Sequence, residues 1–375
     1  EDANGYNVAV GYAALDALNA GTDAYNVAVG YAAGNNLDTG TNNTLIGSLA
    51  GDALTDAVLN VAVGDNALSA DTRGSRSTAI GRSALAAQNF TTPTNTYNTA
   101  VGFNAGTVLE TGVENVILGG LTGDALIDAD FNVAVGGQAL GADTKGNRST
   151  AIGYQSLVNQ NFTTSTDSYN TSIGAAAGFA VQTGVENTFV GANAGDAVTT
   201  GSANVLVGYN VDASSVGAND QIVIGTGVSG GGNSTVRFGN TGATLTINLD
   251  GSDTSWAAAS DQRLKTDIES STVGLQFINA LRPVTYKWAA KNAIDEDLPY
   301  YDADSSDPCR GTEGKTHHGF IAQEVKAVID ANSDVKDGHN IWEEDPNGTQ
   351  QLAPAALIPM LVKAIQELSA EIETL

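Results

Sequence analysis

NVAVGYAAGNNLDTGTNNTLIG, Asn26 to Gly47, opens on a pentapeptide of the form Asn-x-small-Val/Ile-Gly and comes back to a variant of it after one circuit. The same motif stands at Asn7, Asn60, Ser77, Asn98, Asn115, Asn132, Ser149, Asn170, Asn187 and Asn204, and in decayed form at Gln221. Its closing glycines, Gly11, Gly30, Gly47, Gly64, Gly81, Gly102, Gly119, Gly136, Gly153, Gly174, Gly191, Gly208 and Gly225, are spaced by 17 residues, with exceptions of 19 and 21. A period this short and regular is the mark of a solenoid, in which each unit contacts only its neighbours. A longer period of 72 residues lies over it: ADTRGSRSTAIG at Ala70 returns as ADTKGNRSTAIG at Ala142, as expected from duplication of a four-coil block.

Each unit reads as one coil of a β-roll: a strand of about five residues ending at Gly, a second short segment such as YAAGNNL, and a turn back to Asn. Two such strands enclose a core one or two side chains thick, so small residues must face inward. Ala9, Ala28, Ala62, Ala79, Ala100, Ala134 and Ala151 share that register, while Val10, Val29 and Ile46 supply a second apolar face. So thin a roll buries little apolar surface, and its second face is expected to pack against identical chains as a trimer. Only Pro93 interrupts the first 259 residues, so hydrogen bonding between coils can run almost without a break.

The recurring Asn is best explained as a side-chain ladder that satisfies turn backbone groups. Asp-rich turns such as GTDAYN match neither the EF-hand spacing nor a glycine-rich nonapeptide, so no metal and no cofactor is expected. Arg73, Arg76 and Arg82, echoed by Lys145 and Arg148, offer a positive ring for an anionic sugar. Pairing with Asp71 and Asp143 on a solvated edge is the simpler expectation. A glycan-cleaving site needs two carboxylates about 5 to 10 Å apart in a groove, and the acids here are scattered through turns.

Composition narrows the classes further. The 375 residues carry a formal charge of −26 spread over both parts of the chain, which disfavours nucleic acid and anionic membranes as partners. Cys309 is alone, so no intrachain disulfide can form. No apolar run is long enough to span a bilayer. The chain opens inside a repeat, at EDANGYNVAVG, as expected of a fragment.

The last third has a different character. SDQRLKTDI at Ser260, GLQFINALRPVTYKW at Gly274 and HHGFIAQEV at His317 precede a tail in which Ile358, Leu361, Ile365, Leu368, Ile372 and Leu375 form a heptad seam. Ile at a with Leu at d favours dimers in isolated coiled coils, so the tail alone does not specify three strands. His317, His318 and Glu324 lack further ligands at metal-binding spacing. No role falls to Cys309 or His339.

These three segments, in this order, resemble the auto-processing intramolecular chaperone domain that ends many phage tailspikes and tail fibres. The resemblance implies a serine and a lysine acting as a dyad that cuts the bond before the serine once three chains have assembled. The matching positions are Ser260 and Lys265, with Ala259–Ser260 as the scissile bond. A lysine serves as base only when burial or a neighbouring cation such as Arg263 lowers its pKa. The upstream repeat resembles the left-handed β-roll heads of trimeric autotransporter adhesins.

The expected architecture is therefore mainly β: a trimeric β-roll, or β-solenoid, at 1–225, a β-rich neck at 226–256, and an α+β chaperone domain at 257–375 with a coiled coil from about 354. The expected function is a homotrimeric phage tail fibre or spike, located in the virion, that attaches to a glycan or protein receptor on the host surface and cleaves itself once. Membrane insertion is not expected. The alternatives are a bacterial trimeric surface adhesin and a non-cleaving fibre that keeps its chaperone as a cap.

Overall fold

The computed structural model describes residues 5–249, 257, 258, 262, 265–298, 300–310, 314–336, 338–345 and 348–374. The chain divides into two compact units, Glu1–Ser260 and Asp261–Leu375.

The first unit is a β-solenoid. Its main sheet has sixteen strands, from Val8–Val10 onward, and the order of strands in the sheet follows the order of coils in the sequence. Neighbouring coils pair parallel and in register, with Ala28 flanked by Ala9 and Leu45 and Ala134 flanked by Ile117 and Ala151. The stack ends when Thr244–Asn248 pairs antiparallel with Thr235–Asn240 and then with Ala257–Ala258.

The repeating strands hold three residues, such as Val27–Val29, rather than the five expected. The backbone leaves the extended region on both sides: Tyr25, just before Asn26, has φ 52°, and Gly30 has φ 142°. The YAAG segment is likewise a stacked turn and not a second strand, because Ala32 and Gly34 take φ values of 54° and 59°. Its wall is still hydrogen-bonded from coil to coil, Gly34 N–H donating to Ala50 O at 3.0 Å and Gly51 N–H to Ala67 O at 2.9 Å. The two 21-residue circuits add two-residue parallel ladders, Gly74–Ser75 with Thr94–Asn95 and Gly146–Asn147 with Thr166–Asp167.

Close stacking explains the closing glycines. A Cβ on Gly30 would lie 2.3 Å from Gly47 O, and one on Gly47 would lie 2.3 Å from Gly64 O. Only glycine tolerates both that approach and that φ.

The core is volume-matched over the 72-residue block. The middle strand residue is fully buried in coil after coil, as Ala28, Ala62, Ala79, Ala100, Ala134 and Ala151, but also as Leu45, Ile117, Phe189 and Leu206. Leu45, Ile117 and Phe189 occupy space left by glycines in the turn. A Cβ on Gly34 or Gly51 would meet Leu45 at 2.7 or 2.8 Å, and one on Gly178 or Gly195 would meet Phe189 at 2.9 or 2.6 Å. In the coils of Ala62, Ala79, Ala134 and Ala151 that turn position holds Leu68, Leu85, Leu140 and Leu157, all buried, whereas in those of Ala28 and Ala100 it holds Gly34 and Gly106, which make room for Leu45 and Ile117 of the next coil. Interiors are packed to near-crystalline density, so the two columns must vary together. Ala9 keeps this register, paired with Ala28, and is exposed in the first described coil.

The second unit is α+β. Helix α1, Leu275–Ala280, helix α2, Ala322–Asp330, and helix α3, Ile358–Glu373, accompany two antiparallel strand pairs, Val284–Tyr286 with His317–Gly319 and Trp342–Glu344 with Gln350–Leu352. Its core gathers Val273, Phe277, Leu281, Val325, Ile329, Val335, Ile341 and Leu357. Val325 and Ile329 are one helical turn apart, which sets the buried face of α2. Glu367 of α3 accepts the Leu275 N–H at 2.7 Å, supplying an orphan donor at the start of α1 with a carboxylate.

Candidate functional site

The asparagine column is structural. Asn26, Asn43 and Asn60 are fully buried. Asn43 N–H donates to Asn26 Oδ1 at 2.9 Å, and Asn60 N–H donates to Asn43 Oδ1 at 3.0 Å. Each Nδ2 donates to a carbonyl across its own coil, Asn26 to Gly40 O and Asn43 to Ala57 O, both at 2.9 Å. Donors and acceptors are thus used up within the stack, which leaves this column no ligand chemistry.

Asp71 and Asp143, expected on a solvated edge, are instead fully buried. Asp71 Oδ1 accepts the N–H groups of Gly74 at 2.9 Å and Phe90 at 3.1 Å, and Gln88 Nε2 donates to its Oδ2 at 2.5 Å. Asp143 repeats the pattern with Gly146, Phe162 and Gln160. These side chains stand where other coils place Leu37, Leu54, Leu109 and Leu126, so they pin the longer circuits from inside. Burial outweighs the hydrogen bonds and raises the Asp71 carboxyl above its ordinary value. The arginines are satisfied elsewhere: Arg73 by Asp56 at 3.5 Å, Arg82 by Asp65 at 3.4 Å and Arg148 by Asp167 at 3.2 Å, while Lys145 meets Asp128 at 3.2 Å. Their pairing is local, as expected, but with other acids.

The outward face of the strand ladder carries most of the solenoid's exposed large apolar side chains. Four residues per coil point out: the residue before Asn, two on the strand, and the residue after Gly. In the first coils they are Tyr6, Val8, Val10 and Tyr12, all exposed, then Tyr25, Val27, Val29 and Tyr31. Tyr6 stacks on Tyr25 with centroids 5.2 Å apart, and Tyr12 on Tyr31 at 5.7 Å. Farther along, Leu59, Ile80, Tyr97, Val101, Phe103, Tyr154, Tyr169, Ile173 and Tyr209 continue the exposed surface. The aliphatic column was legible in the sequence. The aromatic columns beside it were missed, although tyrosines at fixed offsets from Asn and Gly were a readable signal.

In the second unit, α3 buries Ala364 and turns its heptad positions outward: Ile358, Leu361, Ile365, Leu368 and Ile372 are exposed, Ile365 by 66%. Leu375 lies outside the described residues. Glu324 is not free to ligate a metal, since Arg282 Nε donates to it at 2.9 Å and holds its carboxyl below the usual range. His317, half-buried on the first strand pair, stacks on Tyr286 at 5.5 Å, and His318 is exposed. Among the described residues no three His, Cys, Asp or Glu side chains converge as a metal site. No described helix is long and apolar enough to cross a membrane.

Of the expected dyad, Lys265 is exposed and its backbone N–H donates to Gln262 O at 3.1 Å. Ala259, Ser260 and Arg263 lie outside the described residues. Residues 260–333 match the family described as the chaperone of endosialidase. The match begins at Ser260 and runs through the first strand pair and α2, so the C-terminal unit carries a chaperone-of-endosialidase domain behind a β-solenoid. No curated protein and no solved structure matches the chain. The head-like character of the repeats therefore rests on the solenoid itself.

Proposed function

We propose that the chain is part of a homotrimeric phage tail fibre or spike: the solenoid is the shaft or head that attaches to a host surface, and the chaperone domain assembles it. The observation that carries this reading is the pair of unpartnered apolar surfaces on one chain. One is the ladder of outward Tyr, Val and Ile side chains along the solenoid, and the other is the exposed Ile/Leu seam of α3. The apolar surface is continuous along the strand column that holds Val10, Val29, Ile46 and Ile80, while charged residues such as Arg82 and Glu114 interrupt the columns beside it, and three copies of a narrow roll can bury that column at a common axis. A helix of 16 residues is also marginal alone and gains its stability from identical partners.

The chaperone then leaves by a single self-cleavage. Ser260 Oγ attacks the carbonyl carbon of Ala259, and Lys265 in its neutral form takes the hydroxyl proton. The Lys265 amine returns that proton to the leaving Ser260 amine, and water hydrolyses the resulting ester. Lys265 is exposed in the single chain, and burial against neighbouring chains is the general way in which an amine becomes a usable base, which ties cleavage to the trimer. Loss of the folding template leaves the mature fibre kinetically trapped.

Denaturing gels and mass measurement test the cleavage. Wild type should give fragments of 259 and 116 residues, whereas Ser260→Ala and Lys265→Ala should stay at 375. Intact wild type in assembled material would mean that the chaperone stays on as a cap.

A further inference from the structure

The two four-coil blocks differ at several positions on the turn side of the solenoid. Where the first block has Ser69, the second has Gly141. The missing side chain opens a cleft of about 250 Å³ whose walls include Asp124, Gln138, Val158 and Asn159. A Cβ on Gly141 would stand 3.6 Å from both Asp124 Oδ1 and Val158 Cγ2, so the glycine is the floor of a notch with a carboxylate on one wall and an apolar group on the other. Asp124 has a counterpart in Asp52, but Asn159 replaces Ala87 and Val158 replaces Ala86. The polar lining belongs to the second block.

The polar groups are held in place. Gln155 Nε2 donates to Gln138 Oε1 at 2.8 Å, which leaves the Gln138 amide N–H groups as donors. Asn159 Nδ2 donates to Phe179 O at 2.8 Å, which leaves its Oδ1 as an acceptor. Half-burial raises the Asp124 carboxyl above its ordinary value, as expected of a group with its solvation partly removed and no cation to replace it. A second cleft of about 380 Å³ shares Asn159 and adds Asn161, Gln182 and Thr183. From the coil of Asp124 to that of Gln182 is three steps of the stack, roughly 14 Å at strand spacing.

We propose that the Gly141 notch and the cleft beside it bind a short neutral oligosaccharide, with Asp124 accepting from two adjacent sugar hydroxyls. A carboxylate flanked by fixed amide donors and acceptors matches a pair of vicinal hydroxyls, and Val158 faces the C–H side of a ring. Neither cleft has a Lys or Arg in its lining, and the net charge of −26 repels an anionic glycan. The site rests on the host-attachment reading and supplies its ligand class.

The probe is a printed array of neutral hexose and N-acetylhexosamine oligosaccharides beside sialylated and sulfated ones, read with the assembled full chain. Wild type should bind neutral members. Gly141→Ser, which restores the first block's residue, and Asp124→Asn, which keeps the shape, should each weaken that binding at least tenfold. Asp52→Asn should not. A Cβ on Gly141 also comes 3.1 Å from Gln138 O, so thermal melts must show both variants folded, and Asp124→Asn alone decides if Gly141→Ser does not fold. Binding confined to anionic glycans, no glycan binding, or unchanged binding by Asp124→Asn overturns the site. Binding to bacterial cells separates the two readings: wild type that binds cells equally well with and without Asp124→Asn keeps attachment and loses the notch, and wild type that binds none loses attachment itself.

Discussion

Single residues in this solenoid are constrained by the coil above and the coil below. Leu45 is fully buried between the gaps left by Gly34 and Gly51, so no neighbour can relax far into a cavity. Leu45→Ala should cost about 2–5 kcal/mol, measured by chemical denaturation, while Val29→Ala, on the outward face, should cost much less in an unassembled chain. Asp212 makes a second residue-scale case. Its carboxyl is pushed up to about 7, first by burial and then by the neighbouring Asp196 charge, from an ordinary value of 3.8. A raised carboxyl favours folding while it is protonated, and this contribution is lost as pH rises from about 4 through about 7. The melting temperature of the wild type should therefore fall between pH 5 and pH 8, and Asp212→Asn should flatten that fall. A slope that survives in the variant would assign it to other groups.

At the scale of elements, the spacing of glycines gave the coil count and the parallel stacking. It did not give strand length, because nothing in VAVG announces that Tyr25 before it takes a left-handed φ. The burial of Asp71 and Asp143 was hidden for a related reason. An Asp beside Arg reads as a surface pair, and only the comparison of Leu68 and Asp71 with Gly51 and Leu54 reveals that these positions line one interior and exchange volume. The Ile/Leu periodicity of α3 was read correctly, and its exposed face defines a test. Ile365→Asp leaves the described core of the second unit untouched, so the unit should keep its secondary structure. It removes a buried Ile from every chain in an assembly, about 1.5–3 kcal/mol each, which is more than a tenfold loss in association. Sedimentation velocity at micromolar concentration should show dissociation, and an unchanged assembly would exclude the seam as an interface.

For the whole molecule, each unit presents apolar surface that a second copy can cover: the outward strand face of the solenoid and the Ile/Leu seam of α3. The chaperone-of-endosialidase match at 260–333 agrees with a chain whose C-terminal unit serves assembly. What the sequence conveyed least well at this scale was the site of recognition, because Asp124, Gly141 and Asn159 are brought together by stacking and stand apart in the chain. The most direct test of the account is the native mass of the Ser260→Ala chain, in which processing is blocked. Three times 38.1 kDa is the expected result, and a folded, monodisperse species at 38.1 kDa would contradict it.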